Sequence, residues 1–203
     1  SVVGDFEPAK LETTLAKSLQ SWKPAVAYQR IPDPYRAVKA EQMQALTPDK
    51  ANAFYLSKLP LDIQDTHPDY PALTLANFLL GSSETSRLWM RVREKEGLSY
   101  NVRSSLAVSA FEPSGVWSVY AIFAPENRSK VETAIAEELA RAVKDGFTEA
   151  EIKDGKTALL NLRKLSLAQD PTLASTWNAY LESKRTFAWA EEMNQKIAAL
   201  TPE

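Results

Sequence analysis

Eleven consecutive residues restrict what this chain can fold into more than any other stretch. From Leu98 to Val108, Leu98, Tyr100, Val102, Ser104, Leu106 and Val108 alternate with Ser99, Asn101, Arg103, Ser105 and Ala107. Period two belongs to a strand whose two faces meet different surroundings, because successive side chains point to opposite sides of a pleated backbone. The turn FEPSG then leads into Val116–Ala124, apolar on both faces through Trp117, Val119, Ile122 and Phe123. Together they predict a long β-hairpin set centrally in an antiparallel sheet, with Leu98, Val102, Leu106 and Val108 beneath helices.

The flanking segments fill in the layers. Val2 and Val3 read as a short strand stopped by Gly4, and Pro8 suits the first turn of a helix, where its missing N–H costs nothing. Leu11, Leu15, Leu19 and Trp22 recur at helical spacing. Residues 24–38 carry Pro24, Pro32 and Pro34 and form an irregular connection. Lys39–Leu46 reads as an edge strand before a turn at Thr47-Pro48-Asp49, and Ala51–Leu59 as a central strand. Asp69 is placed to cap a helix through Leu80, closed by Gly81. A second helix runs from about Glu84 to Lys95, with Leu88 and Val92 inward and Gly97 in the left-handed position after its end.

The remainder is helical. Val131, Ile135, Leu139 and Val143 form a stripe ending at Asp145-Gly146, and Thr148 with Glu151 makes a capping box for a helix through about Leu167. Asp170-Pro171 opens another with Leu173, Trp177 and Tyr180 inward, and Thr186 opens the last with Trp189, Met193 and Ile197. The order predicts an α+β fold: an antiparallel sheet with helices packed on one face, a two-layer sandwich with extra C-terminal helices. Residues 1–203 are expected to form a single domain, with 164–203 as its helical extension.

Composition narrows the function. The 203 residues hold 24 Lys+Arg against 26 Asp+Glu, a net charge of −2 with no basic block, which argues against nucleic acid as the main partner. The longest nearly apolar run, Ala72–Leu80, falls far short of the ~20 residues that span a bilayer, so no membrane insertion is expected. There is a single histidine, His67, and no cysteine. Catalytic zinc usually takes three protein ligands, so no metal site and no cofactor are expected in this chain. The sequence opens without an initiator Met inside an expected strand, as a piece of a longer protein would.

The string RVREKEGLSYNV, with VVGDF at the start, PDYPALTLANFLLG before the helix and DGFTEAEI between late helices, resembles the pitrilysin/insulinase-type zinc metallopeptidases, the inverzincins. The resemblance covers at least Val2 to about Arg163. That family's catalytic motif, H-x-x-E-H, is missing here, so the likeness is to a second-type or C-terminal-half domain without zinc, of the mitochondrial processing peptidase-type fold. It implies a non-catalytic, substrate-binding and chamber-forming domain of a zinc-dependent endopeptidase. Zinc would lie in the parent protein or a partner subunit, a peptide would be the substrate, and the chain alone would be inactive. It also suggests a periplasmic location. Two other classes stay open: an inactive structural or assembly subunit of the same family, and an unrelated α+β protein-interaction module.

No catalytic residue is assigned; the residues matching the family's substrate-contacting pair are Arg93 and Tyr100. An arginine fork offers five fixed donors to peptide carbonyls or a carboxylate, and a phenol offers one donor on a rigid arm. From the residues alone a plainer account also fits, with Arg93 favouring its helix C-terminus and Tyr100 packing at the sheet rim. Arg91 and Arg103 read as solvated or ion-paired. Glu94 and Glu96 read as solvent-facing charges, and His67 as a loop histidine beside a proline. Ser82-Ser83 lacks the pattern of a phosphate loop.

Overall fold

A computed structural model describes residues 1–202. Its centre is a three-stranded antiparallel sheet: β1 (Ala53–Leu61), β2 (Ser99–Val108) and β3 (Gly115–Phe123), in the order β1-β3-β2. The α-helices are α1 (Pro8–Leu19), α2 (Tyr70–Asn77), α3 (Arg128–Asp145), α4 (Glu149–Ser166), α5 (Asp170–Glu182) and α6 (Phe187–Ala199). Helices cover one face of the sheet, as an α+β sandwich requires. Val102, Val119, Ala121 and Phe123 pack with Val131, Ala134 and Ile135 of α3 and with Leu88 and Val92. A second cluster joins Leu75 and Phe78 to Ile152 and Leu159 of α4 and to Met193 and Ile197 of α6.

The hairpin forms as its alternation predicts, with Leu98 and Val102 buried, but only its second strand is central: β2 lies at one edge of the sheet, and Leu106 and Val108 are only partly covered. The strand expected at Ala51–Leu59 is present as β1, but it lies at the edge and β3 takes the centre. Apolarity on both faces of β1 is therefore no mark of centrality: Phe54, Leu56 and Leu59 remain exposed. The row Leu56–Tyr120–Arg103 crosses the face opposite the helices, and Phe54 stacks on Tyr120 with ring centroids 6.0 Å apart.

Several local expectations change. Val2-Val3 and Lys39–Leu46 form no strand. The first is held instead by its neighbour Ser1, whose ammonium donates to Asn178 Oδ1 at 2.6 Å. The stripe of α1 is real as a pattern only to Leu19, yet Leu15 and Leu19 are exposed, as is Trp22, which lies past the helix end. The helix expected through Leu80 is regular only to Asn77 and then widens into a π-helical turn, Phe78–Ser82. Gly81 lies inside that turn rather than closing it. A Cβ there would stand 2.6 Å from Ser104 Oγ, so glycine permits the close approach of β2. Asp69 precedes α2 without a side-chain cap. Val143, at the far end of the α3 stripe, points to solvent.

The late helices follow their signals more closely. Thr148 Oγ1 accepts from Glu151 N while Glu151 Oε2 accepts from Thr148 N, completing the capping box. Thr186 caps α6 by accepting from Ala188 N. Leu173, Trp177 and Tyr180 of α5 are only partly covered. Trp177 and Tyr180 meet Phe187 edge-to-face at 4.8 and 5.3 Å, a satellite contact rather than core.

Candidate functional site

The site begins in the helical segment before β2. The helix expected from Glu84 to Lys95 is instead π-helical over Trp89–Lys95, with Glu96 N donating to Arg91 O, five residues back, at 3.0 Å. Leu88 and Val92 anchor it in the core as expected. Gly97 stops it at φ 61°, a left-handed conformation that costs glycine little, and Leu98 N then donates to Val92 O at 2.8 Å. Asn127 holds the same junction from the α3 side, its Nδ2 donating to Leu98 O at 3.2 Å.

The strand that follows contains a bulge. Ser99 pairs with Phe123 and Asn101 with Ile122, so Tyr100 is an extra residue with no partner of its own. Ser99 Oγ lies 2.7 Å from Ile122 O and 2.8 Å from Asn101 O and fixes the irregularity. One extra residue changes the side to which what precedes it points. Strict alternation assigns Tyr100 to the apolar face with Val102; the bulge sends it outward, where it is 79% exposed. Its hydroxyl has no hydrogen-bond partner among the described residues.

Arg93 and Tyr100 are brought together, with the guanidinium carbon 5.9 Å from the phenol ring centre. Arg93 lies 4.1 Å from the ring centre of Trp89, whose indole is nearly buried, and its own side chain is 41% exposed. The indole Nε1 donates to Glu94 Oε1 at 3.1 Å, and that carboxylate lies 3.8 Å from Arg93 Nε. Arg93 is thus aimed by a cation–π contact rather than by an acceptor, which leaves its terminal donors facing solvent.

Sequence reasoning missed two members of this cluster. Trp89 precedes Arg93 by four residues, a spacing that hints at a shared helix face. Arg103, read as solvated or ion-paired, is largely covered: its guanidinium sits 3.8 Å from the centre of the same Trp89 ring, and its one ion contact among the described residues is Glu84 at 3.4 Å. No local signal could have found that contact. Arg91 is ion-paired as expected, to Glu96 at 2.9 Å and to Glu137, while Glu94 and Glu96 serve different partners and form no carboxylate pair. Ser83 Oγ only meets Thr85 Oγ1 at 3.2 Å.

A zinc ion does not fit the donors present. Nδ1 of His67 accepts from Asp69 N at 3.2 Å, and Asp65 is held by Arg185 at 2.5 and 2.7 Å. Among the described residues no three His, Cys, Asp or Glu side chains converge as a metal site. No helix among them is long and apolar enough to cross a membrane.

Residues 1–159 match the family model described as the peptidase M16 inactive domain. An uncharacterized zinc protease of Mycobacterium leprae is 41% identical over 88 residues, 43% of this chain and 19% of that protein. A protease structure from Helicobacter pylori superposes with a TM-score of 0.71 at 20% identity, covering 98% of this chain and 48% of that one. A peptidase M16 inactive domain from Pseudomonas fluorescens gives 0.68 at 22% identity, covering 98% and 46%. The match thus takes in less than half the length of each of these relatives. With its α+β sandwich and the arginine–tyrosine string in place, the chain belongs to the peptidase M16 inactive-domain family, the zinc-free domain type of pitrilysin-like proteases.

Proposed function

We propose that this domain binds peptide and forms part of the chamber wall of a zinc-dependent endopeptidase, without taking part in zinc binding. The observation that carries the reading is the meeting of Arg93 with Tyr100. Both present unspent donors to solvent, and both are fixed by the protein rather than carried on a free loop: the π-helical turn and Trp89 hold one, the Ser99-pinned bulge the other. Such donors suit the carbonyls of an extended peptide and an oxyanion developing at the bond cleaved. Zinc and the general base would belong to another half, on the same polypeptide or a partner subunit. The exposed stripe of α1 fits a domain that packs against such a half.

The test uses the full-length protease, or its reconstituted halves, on an unstructured peptide. Tyr100→Phe removes one exposed hydroxyl, so folding survives while kcat falls by roughly the 2.7–4 kcal/mol of a lost oxyanion donor. Arg93→Ala also raises KM, because a donor to substrate carbonyls contributes to ground-state binding. If both variants cleave at the wild-type rate, Arg93 is a helix-end charge and Tyr100 a rim aromatic, and the reading fails.

A further inference from the structure

Arg103 is the unexplained member of the cluster. It projects from β2 on the face opposite the helices, opposite Tyr120 in the pairing of β2 with β3, and its side chain is only 23% exposed. Most guanidiniums so covered are gripped by acceptors, since each carries five N–H donors. Among the described residues Nη1 is buried without a partner, and the only acceptor is Glu84 Oε1, 3.4 Å from Nη2. That contact is at the long limit for a hydrogen bond, and the Glu84 side chain is 77% exposed. The cation is held by the face of Trp89, not by its counter-ion. The same indole carries Arg93, so two guanidiniums converge on one ring within 3.8 and 4.1 Å of its centre.

Two like charges carried by one indole disfavour each other, and an anion set against either one offsets that cost. Glu94 answers Arg93 only at 3.8 Å and spends its oxygen on the indole N–H, and Glu84 answers Arg103 weakly. A carboxylate arriving from outside can do better, since a well-aligned arginine–carboxylate pair is among the stronger polar contacts and partial cover reduces its screening by solvent. A backbone carbonyl satisfies the donors of Arg93 but does not balance a second cation.

We infer that Arg103 is a specificity residue of the peptide site, selecting substrates that carry a carboxylate beside the stretch held by Arg93 and Tyr100. This rests on the peptide-binding reading above. The carboxylate comes either from an internal Glu or Asp side chain or from the free C-terminus of the peptide, and Glu84 is the resident anion that it displaces.

The experiment measures kcat/KM of the full-length protease on matched peptides. One series carries a single Glu or Gln at successive positions with an amidated C-terminus; the other holds Gln throughout and compares a free with an amidated C-terminus. The wild type prefers the carboxylate in one series, which names its source. Arg103→Met keeps an aliphatic stem on Trp89 and lowers that preference about tenfold, the scale of one charge-assisted hydrogen bond. Arg103→Lys retains much of the preference, which a purely structural role would not predict. Glu84→Gln, an exposed change independent of any folding cost at Arg103, raises it. A wild type indifferent to carboxylates in both series, or an Arg103→Met variant with an unchanged preference, overturns the inference. If Tyr100→Phe still slows every peptide in that case, the peptide-binding reading survives; if it slows none, that reading has failed separately.

Discussion

Glu151→Gln tests how the segment bearing Arg93 is moored to the helical layer. Glu151 accepts from Arg87 Nε at 2.6 Å and Nη2 at 2.8 Å, and from Thr148 N at 2.8 Å, so one carboxylate closes the α4 capping box and grips the residue just before Leu88. Arg87 is 9% exposed and Glu151 31%, and the guanidinium also rests on Phe147 at 4.5 Å. The Arg87 fork, helped by Thr148, holds the Glu151 carboxyl down at about 2 from an ordinary 4.5. Each unit of that difference is worth about 1.4 kcal/mol of folding stability, an upper bound near 3.5 that partial exposure reduces to about 2 kcal/mol. Because the folded pKa is depressed, this contribution is fully present above about pH 5. It is lost as the pH falls towards 2, since the unfolded chain takes up the proton first. Glu151→Gln keeps one acceptor and the cation–π contact but strands part of a covered cation, and the expected loss at pH 7 is about 2–3 kcal/mol. Urea denaturation of wild type and variant at pH 7, 5, 4 and 3 gives both quantities. The gap between them should narrow with acid, since the wild type loses the contribution that the variant never has. A gap independent of pH, or a variant as stable as wild type at pH 7, would refute the account of Arg87–Glu151 as a functioning ion pair.

Two further perturbations probe the placement of β2. Gly81→Ala puts a Cβ 2.6 Å from Ser104 Oγ and 2.8 Å from Ser104 N, and since backbone cannot swing away as a side-chain tip can, about 1–3 kcal/mol of stability should be lost. Thermal unfolding at the wild-type Tm would show that the contact relaxes freely. Val102→Asp sets a carboxylate at a fully buried position packed in one cluster with Val131 and Ile135, with an expected cost of about 3–5 kcal/mol. A variant with an unchanged urea midpoint would contradict the burial of that strand face.

What the sequence determined by itself is local. The alternation from Val102 to Val108 sets a strand because pleating is a property of consecutive residues, and the Thr148–Glu151 box starts α4 because both partners lie within one turn. Gly97 ends its helix for the same reason, and the family string located Arg93 and Tyr100 without any tertiary knowledge. The tertiary structure decided what depends on neighbours distant in the chain. β1 became an edge strand because β3 lies between it and β2 and pairs with both, a choice that its own apolar residues could not record. Tyr100 turned outward because the pairing of β2 with β3 slips by one residue between Ser99 and Asn101, and register belongs to two strands, not one. Arg103 came to rest on Trp89, fourteen positions earlier, only once the turn at Gly97 had folded the π-helical segment back beside β2. The stripe of α1 shows the same division from the other side: spacing is enough to make a helix amphipathic, but only a packed neighbour buries it, and among the described residues none does.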